Sequence, residues 1–117
     1  MTSRPKTLKN SKSSKLKQTD RPHGEIVVDL LKADPAFADE YLAAALQEAD
    51  QPGGQQALLL ALRHVAEAQG MAAVADRAGI PRESLYRALG PRGNPTIKTF
   101  LAVLNASGLQ LSVTRVS

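Results

Sequence analysis

The stretch that most constrains the fold is Met71–Leu89, which reads MAAVADRAGIPRESLYRAL and holds two short helical patterns separated by Gly-Ile-Pro. Gly79 can adopt the left-handed backbone conformation that ends a helix without a Cβ clash. Pro81 suits the first turn of the following helix, because no backbone N–H is needed there. Leu85 and Leu89, four residues apart, give this second helix one apolar face. We therefore expect two helices joined by a tight turn.

The small and apolar residues of this stretch match a helix-turn-helix in combination. Two helices that meet at a steep angle need a small residue at their contact, and Ala75 lies four residues before Gly79. Ile80 lies in the turn, where an apolar side chain can enter the core, and Leu85 follows on the second helix. The alternative is an αα-hairpin inside an ordinary helical core. We favour the helix-turn-helix.

Three further helices are predicted around this motif. Asp34, followed by a proline, is a helix-start signal for a helix that ends before Gln51. A second helix spans residues 55–69, and Thr96 caps a last helix that runs to about Ser107. The positions expected to face inward are Phe37, Tyr41, Leu42, Ala45 and Leu46 in the first of these helices, Leu58, Leu59, Leu62, Val65 and Ala66 in the second, and Ile97, Phe100, Leu101 and Leu104 in the last. Arg63 and His64 are expected near the outer side of the second helix.

Two shorter segments complete the predicted fold. Val27, Leu30 and Leu31 fit helical spacing, which favours a helix over a short strand at residues 25–31. Residues 109–116 alternate apolar and polar up to Val113, which is typical of a strand. Because a single strand cannot satisfy its own backbone, its partner is a second protomer, a strand near residues 25–28 or another protein. We expect a mainly α fold, a five-helix lambda-repressor-like helix-turn-helix domain with a short C-terminal β-strand.

Charge divides the chain into three parts. Residues 1–23 carry seven Lys and Arg against one Asp, residues 24–50 carry seven acidic residues against one Lys, and residues 51–117 carry seven basic residues against three acidic ones. The predicted organisation is a disordered basic tail at 1–23, an acidic helical segment at 24–52 and a basic helix-turn-helix domain at 53–117. The tail is either a basic arm that attracts nucleic acid or a solvated leader. The acidic segment is either a docking surface for a basic partner or a solvated helix face.

Composition excludes several classes of function. The absence of cysteine rules out disulfides, thiolate catalysis and cysteine zinc sites, and it fits a reducing compartment such as the cytoplasm. No apolar run is long enough to span a membrane, and the N-terminus lacks the apolar stretch of a secretory signal. His23 and His64 are isolated, and no glycine-rich phosphate loop or held carboxylate pair is evident. We therefore expect a cytoplasmic protein that is not an enzyme and uses neither metal nor cofactor.

From Leu62 to Val113 the chain resembles the helix-turn-helix antitoxins called addiction-module antidote proteins, which are HigA-like. The motifs that carry the resemblance are A-E-A-x-G before the first motif helix, R-x-S-L-Y-R-A-L in the second and G-N-P-T before the last helix. The upstream run D-P-A-F-A-D-E-Y-L-x-A-A-L-x-E-A also suits this group, which extends the similarity from about Glu25 to the end.

The resemblance implies a function in two parts. Such an antitoxin binds and neutralises a small RelE/HigB-type RNase toxin and, alone or with the toxin, represses its own operon. These toxins are usually basic, which suits the acidic segment 24–52 as the toxin-binding surface. The alternative is a stand-alone helix-turn-helix transcriptional regulator without a toxin partner.

The second helix of the motif is expected to enter the major groove of double-stranded operator DNA. Arg82 and Arg87 are expected to donate to guanine O6 and N7, and Ser84 to bond a base or a phosphate. Glu83 either accepts from cytosine or stabilises the helix N-terminus. Tyr86 is either a DNA contact or half-buried packing.

A second group of polar residues flanks the N-terminus of the last helix. Arg92, Asn94, Thr96 and Lys98 are expected to contact phosphate there, because backbone N–H groups and positive charge favour an anion. Arg77 is the weaker candidate for positioning the DNA. Since one such domain has a small footprint, we expect a homodimer on a palindromic site.

Overall fold

The structure, a computed structural model, describes residues 23–116. Six helices lie in this part of the chain: α1 (His23–Ala33), α2 (Phe37–Gln47), α3 (Gly54–Gln69), α4 (Met71–Ala78), α5 (Arg82–Ala88) and α6 (Ile97–Ala106). The mainly α fold is confirmed. The count of five helices is wrong, because residues 23–116 contain six. The helix favoured at residues 25–31 is present as α1, which is longer than expected, with 11 residues. The predicted tail 1–23 lies outside the described residues except for His23, which begins α1.

The long helix α3 lies at the centre of the fold. It packs against α1, α2 and α4, and α4 in turn packs against α5 and α6. The main core contains residues from each of the helices α2, α3, α4, α5 and α6. Its largest fully buried side chains are Leu62, Leu85, Leu104, Val74 and Val103. A smaller cluster attaches α1 to α2 and α3, and it consists of Val27, Leu31, Ala38 and Val65. The two N-terminal helices therefore rest on α3, which also packs against α4.

Helix α2 begins two residues later than predicted. The carbonyl of Asp34 accepts from the N–H of Phe37 at 3.0 Å, and the carbonyl of Pro35 accepts from the N–H of Ala38 at 3.1 Å. Each of these bonds joins a carbonyl to the N–H three residues later, so together they form a tight turn of the 3₁₀ type. The α-helix itself begins at Phe37. The proline therefore sits at the entry to the helix, as its missing N–H requires.

The inward face of α6 differs from the predicted one. Leu104 is buried and Phe100 is half-buried as expected, but the side chain of Ile97 is 78% exposed and that of Leu101 is 37% exposed. Val103, which the prediction omitted, is fully buried. Helix α6 carries two overlapping apolar stripes, and the packing of its C-terminal half against α4 selects the one that contains Val103.

His64 was expected on the outer side of α3, and that prediction is wrong. Its side chain is buried, and its Nδ1 lies 2.6 Å from the hydroxyl of Tyr41 on α2. Gly24 of α1 covers the other ring nitrogen so closely that a Cβ there would come within 2.9 Å of Nε2. Burial lowers the pKa of His64 and raises the pKa of Tyr41. The histidine thus joins α1 and α2 to α3.

The predicted C-terminal strand is not formed within residues 23–116. After α6, residues 109–116 continue without a helix, turn or bend, and they pair with no other described segment. The strand near residues 25–28 that was one possible partner does not exist, because those residues belong to α1. A lone extended segment has no second strand with which to form a ladder.

Candidate nucleic-acid interface

A tight glycine turn joins α4 to α5. Gly79 has φ 73° and donates its N–H to the carbonyl of Asp76 at 3.1 Å, while Ile80 donates its N–H to the carbonyl of Ala75 at 3.1 Å. This pair of bonds satisfies the last carbonyls of α4 and requires the left-handed conformation at Gly79. Pro81 is extended, with φ −62° and ψ 147°, so α5 begins one residue later than predicted. The helix-turn arrangement follows from local sequence.

Helix α5 is held by one apolar face. Leu85 is fully buried and Leu89 is 2% exposed, as their four-residue spacing predicts. They pack in the main core with Val74 and Ala75 of α4. The opposite face of α5 is therefore turned to solvent along its whole length.

The outward face of α5 carries the residues predicted to read bases. Arg82, Glu83 and Arg87 are exposed, and Ser84 is half-buried. Glu83 lies in the first turn of α5, where a carboxylate stabilises the positive end of the helix dipole. Two guanidinium groups on an exposed helix face are the donors that a guanine edge or a phosphate accepts in bidentate geometry.

Tyr86 is half-buried and packs against the main core. Two guanidinium groups lie near its ring: the Cζ atom of Arg63 from α3 is 5.5 Å from the ring centroid, and the Cζ atom of Arg82 is 5.8 Å from it. Both distances fall within the range of cation–π attraction. Arg63 is itself held by Glu67, whose Oε2 lies 3.1 Å from its Nε. The tyrosine therefore links Arg82 to the α3 scaffold.

The loop after α5 lies directly against the end of that helix. A Cβ at Gly93 would approach the carbonyl oxygen of Ala88 to 2.0 Å, so only glycine fits there. The N–H of Gly93 also donates to the carbonyl of Gly90 at 2.9 Å, which closes the turn. This close approach brings the loop beside α5, and together they form an open groove of about 430 Å³. The groove is lined by Ile80, Pro81, Ser84, Arg87, Ala88, Arg92, Gly93, Asn94, Pro95 and Thr99.

The groove brings together four of the nine predicted site residues, namely Ser84, Arg87, Arg92 and Asn94. Arg82, Glu83 and Tyr86 lie elsewhere on α5. Thr96 caps α6, because its Oγ1 accepts from the N–H of Thr99 at 3.1 Å, so this hydroxyl already has a structural role. Lys98 is exposed in the first turn of α6.

Arg77, the weaker candidate for positioning DNA, is bonded to the C-terminal end of α6. Its Nε donates to the carbonyl of Ala106 at 2.8 Å, and its Nη2 donates to the Oε1 of Gln69 at 2.9 Å. Gln69 also donates from Nε2 to the carbonyl of Ser107 at 2.7 Å. These bonds satisfy carbonyls that a helix end leaves without partners. Arg77 thereby fixes α6 against α3 and α4.

Two residues of this surface were not singled out by the sequence. Gly93 is one glycine in a cluster of turn residues, and its close contact with α5 exists only in the folded chain. Arg63 was placed on an outer face, and the one local signal for its role is the four-residue spacing to Glu67. Its contact with Tyr86 joins residues 23 positions apart.

Within residues 23–116, no group of three or more His, Cys, Asp or Glu side chains is arranged to hold a metal ion. No helix of this part of the chain is both long enough and apolar enough to cross a membrane.

Comparison with known proteins relates the chain to one family and one relative. A family model with the description "Probable addiction module antidote protein" matches residues 25–115. An uncharacterized protein from Haemophilus influenzae (strain ATCC 51907 / DSM 11121 / KW20 / Rd) is 37% identical over 89 residues, which cover 76% of this chain and 92% of the relative. No solved structure matches the chain.

Proposed function

The chain belongs to the family of probable addiction module antidote proteins, and from this membership we propose that it is the antitoxin of a type II toxin–antitoxin module with two activities. It binds and neutralises a small basic RelE/HigB-like RNase toxin. It also represses its own operon by binding operator DNA, as a homodimer, through α4 and α5. The family supports the antitoxin role, and the two activities are argued below from different surfaces.

The exposed basic face of α5 is the observation that carries DNA binding. Arg82 and Arg87 extend from a helix whose opposite face is anchored by a fully buried leucine. Anchoring of this kind keeps an exposed side chain in a fixed position relative to the groove of the DNA. Arg87 faces the same groove as Arg92 and Asn94. A base contact and a phosphate contact can therefore be made from one side of the domain.

We assign different tasks to the two ends of this surface. Arg82 and Arg87 donate to guanine O6 and N7 in the major groove, and Ser84 bonds a base or a phosphate. Arg92, Asn94 and Lys98 contact the phosphate backbone, which sets the register of α5 but carries no sequence information. Because Thr96 already caps α6, its contribution to DNA binding comes from the backbone N–H groups that the cap orients.

DNA binding is tested by comparing variants of the full chain on the promoter of its own operon. Arg87→Ala should lower affinity by about 1–3 kcal/mol and relax specificity at one base pair. Lys98→Ala should weaken binding to all sequences alike and reduce the slope of log affinity against log salt by about 1. Lys32→Ala is the matched control, since Lys32 is equally exposed but lies on α1. If both interface variants bind as tightly as the wild type, the assignment of α5 to the groove is wrong.

Toxin binding is assigned to the acidic helices α1 and α2. All seven carboxylates between residues 24 and 50 lie on exposed residues. At the C-terminal end of α2, Glu48 and Asp50 lie where the helix dipole disfavours negative charge. Their presence there is better explained by a basic partner than by the stability of the helix.

The toxin interface is tested with the full chain and a purified RelE/HigB-type toxin. The double variant Asp39→Asn, Glu40→Gln removes two exposed charges and should weaken binding, most strongly at low salt. Asp76→Asn removes an exposed carboxylate from α4 and should bind the toxin as the wild type does. A chain that binds its promoter but no such toxin would instead be a stand-alone transcriptional regulator.

A further inference from the structure

The segment after α6 has the properties of an unpaired strand. Leu109 donates its N–H to the carbonyl of Leu104 at 3.1 Å, and within residues 23–116 no backbone hydrogen bond is made by the segment 110–116. Its apolar side chains alternate with polar ones, and Leu111 is 43% exposed while Val113 is 99% exposed. The backbone therefore offers a row of free donors and acceptors beside exposed apolar side chains.

An apolar groove lies beside this segment. It has a volume of about 550 Å³ and lies between the segment and α2. Its apolar lining includes Leu42 and Leu46 of α2, Leu104 of α6 and Leu109 and Leu111 of the segment itself. In paired strands, residues that lie directly opposite each other point to the same face. A strand paired with this segment would therefore direct every second side chain to the face that carries Leu109 and Leu111.

We propose that a second copy of the chain pairs with this segment in antiparallel register, with Leu111 facing Leu111 across the two-fold axis. In this register Leu109 of one copy lies opposite Val113 of the other, and Gln110 lies opposite Ser112. Within residues 109–113, apolar residues then meet only apolar residues on one face, and polar residues meet only polar residues on the opposite face. The pattern is self-complementary, as an isologous interface requires.

The charge of the segment also fits a second copy better than a basic partner. Residues 109–116 contain one charged side chain, that of Arg115, and no carboxylate, so the segment itself offers no attraction to a basic toxin. One carboxylate lines the groove beside the segment, that of Asp39 of α2. Residues 109–116 also contain no proline or lysine of the kind that protects a strand edge.

Cysteine cross-linking tests the register directly, because the chain has no cysteine of its own. In the full chain, Leu111→Cys should form a disulfide-linked dimer on oxidation, since facing Cα atoms in antiparallel strands lie about 4.5–5.5 Å apart. Val113→Cys alone should stay unlinked, because its two copies would be roughly 14 Å apart. A mixture of Leu109→Cys and Val113→Cys chains should cross-link, although neither does so alone.

Light scattering of the full chain measures the assembly itself. Wild type should be a dimer, and Val113→Asp should shift it to monomer at equal concentration. Gln110→Asp, on the opposite face, should leave the dimer intact. Both side chains are exposed, so neither change removes a core contact.

The inference rests on the proposed homodimer, but it can fail separately from it. A dimer in which Leu111→Cys does not cross-link would overturn the pairing and leave the dimer standing. A monomer at every concentration would overturn both. If wild type is monomeric and Val113→Asp abolishes toxin binding, the segment serves the toxin and the proposal is wrong. All these measurements are made without DNA, so their failure leaves the operator assay unaffected.

Discussion

The acidic helices α1 and α2 and the basic helices α4 to α6 are held around the same scaffold, α3, in different ways. Helices α4 to α6 contribute four of the largest fully buried side chains to the main core, those of Val74, Leu85, Val103 and Leu104. Helix α2 contributes Leu42 to the same core. Helix α1 is attached through a cluster of four small or medium-sized residues and the contact with buried His64. The surface proposed to bind DNA therefore rests on the main core, whereas α1 is held by fewer buried side chains.

This contrast has a physical reason. Reading base edges requires side chains held within a fraction of an ångström, which a dense core provides. Attraction of an oppositely charged partner depends on the charges of a whole surface and tolerates small movements of each group. The helix proposed to read base edges, α5, is thus the one that the fully buried Leu85 anchors.

The largest expected effect comes from removing a leucine from each region. Leu85→Ala leaves a cavity in the main core and should lower the free energy of unfolding by about 2–5 kcal/mol, near the upper end of that range. Leu31→Ala, in the small cluster, should lower the free energy of unfolding by an amount near the lower end of the same range, because α1 can move to close the space. Urea denaturation of both variants measures the difference. Equal losses would show that the two regions are attached with equal strength.

A glycine in each region gives the next largest effect. Gly93→Ala forces a Cβ against the backbone carbonyl of Ala88 and should lower the free energy of unfolding by about 1–3 kcal/mol, with weaker operator binding. In Gly24→Ala, the new Cβ meets the end of the His64 side chain, which lowers the free energy of unfolding. The higher helix propensity of alanine, about 1 kcal/mol, offsets this loss. The net effect of this substitution should be within about 1 kcal/mol of zero. A larger loss for Gly24→Ala than for Gly93→Ala would reverse the comparison.

The helix starts differ as well. Thr96→Ala removes the side-chain cap of α6 and should cost about 1 kcal/mol of stability. The cap residue of α2, Ala36, makes no side-chain bond, and Asp34 contributes to that helix through its backbone carbonyl, which any residue supplies. Asp34→Ala should therefore cost less than Thr96→Ala. Thermal unfolding of the two variants beside wild type measures this order, and equal shifts would contradict it.

The smallest effect is a dependence on pH at His64 of α3, the residue through which α1 and α2 contact the scaffold. Burial lowers the pKa of His64 below its ordinary 6.5, an effect that nearby His23 and Arg63 increase and Glu67 opposes. The unfolded chain then takes up this proton at a higher pH than the folded chain does. The contribution of His64 to stability is fully present above about pH 6.5 and is lost as pH falls through the lowered folded pKa.

His64→Gln isolates this contribution. Glutamine does not titrate but can still bond the hydroxyl of Tyr41. The variant should therefore lose less unfolding free energy than wild type between about pH 7 and pH 5, the range in which histidine titrates. Urea titrations at several pH values provide the comparison. Parallel pH profiles for the two proteins would show that His64 is not the group responsible.

The sequence by itself determined the features that depend on neighbouring residues. The turn at Gly79, the burial of Leu85 and Leu89 and the cap at Thr96 were all predicted and are all present. Each arises from dihedral preference, helical spacing or a bond to a residue three positions away. The exposed arginines of α5 follow from the same periodicity.

Only the tertiary structure decided which of several possible contacts is made. Helix α6 has two apolar stripes of similar quality, and the burial of Val103 in place of Ile97 depends on α4, with Arg77 and Gln69 fixing the helix end. His64 and Gly93 acquire their contacts from residues on other elements. A strand pattern at residues 109–116 forms no ladder in the described chain, because β-structure needs a partner that local sequence does not supply. Helices form from bonds within themselves, and for that reason their positions were predictable whereas the contacts between them were not.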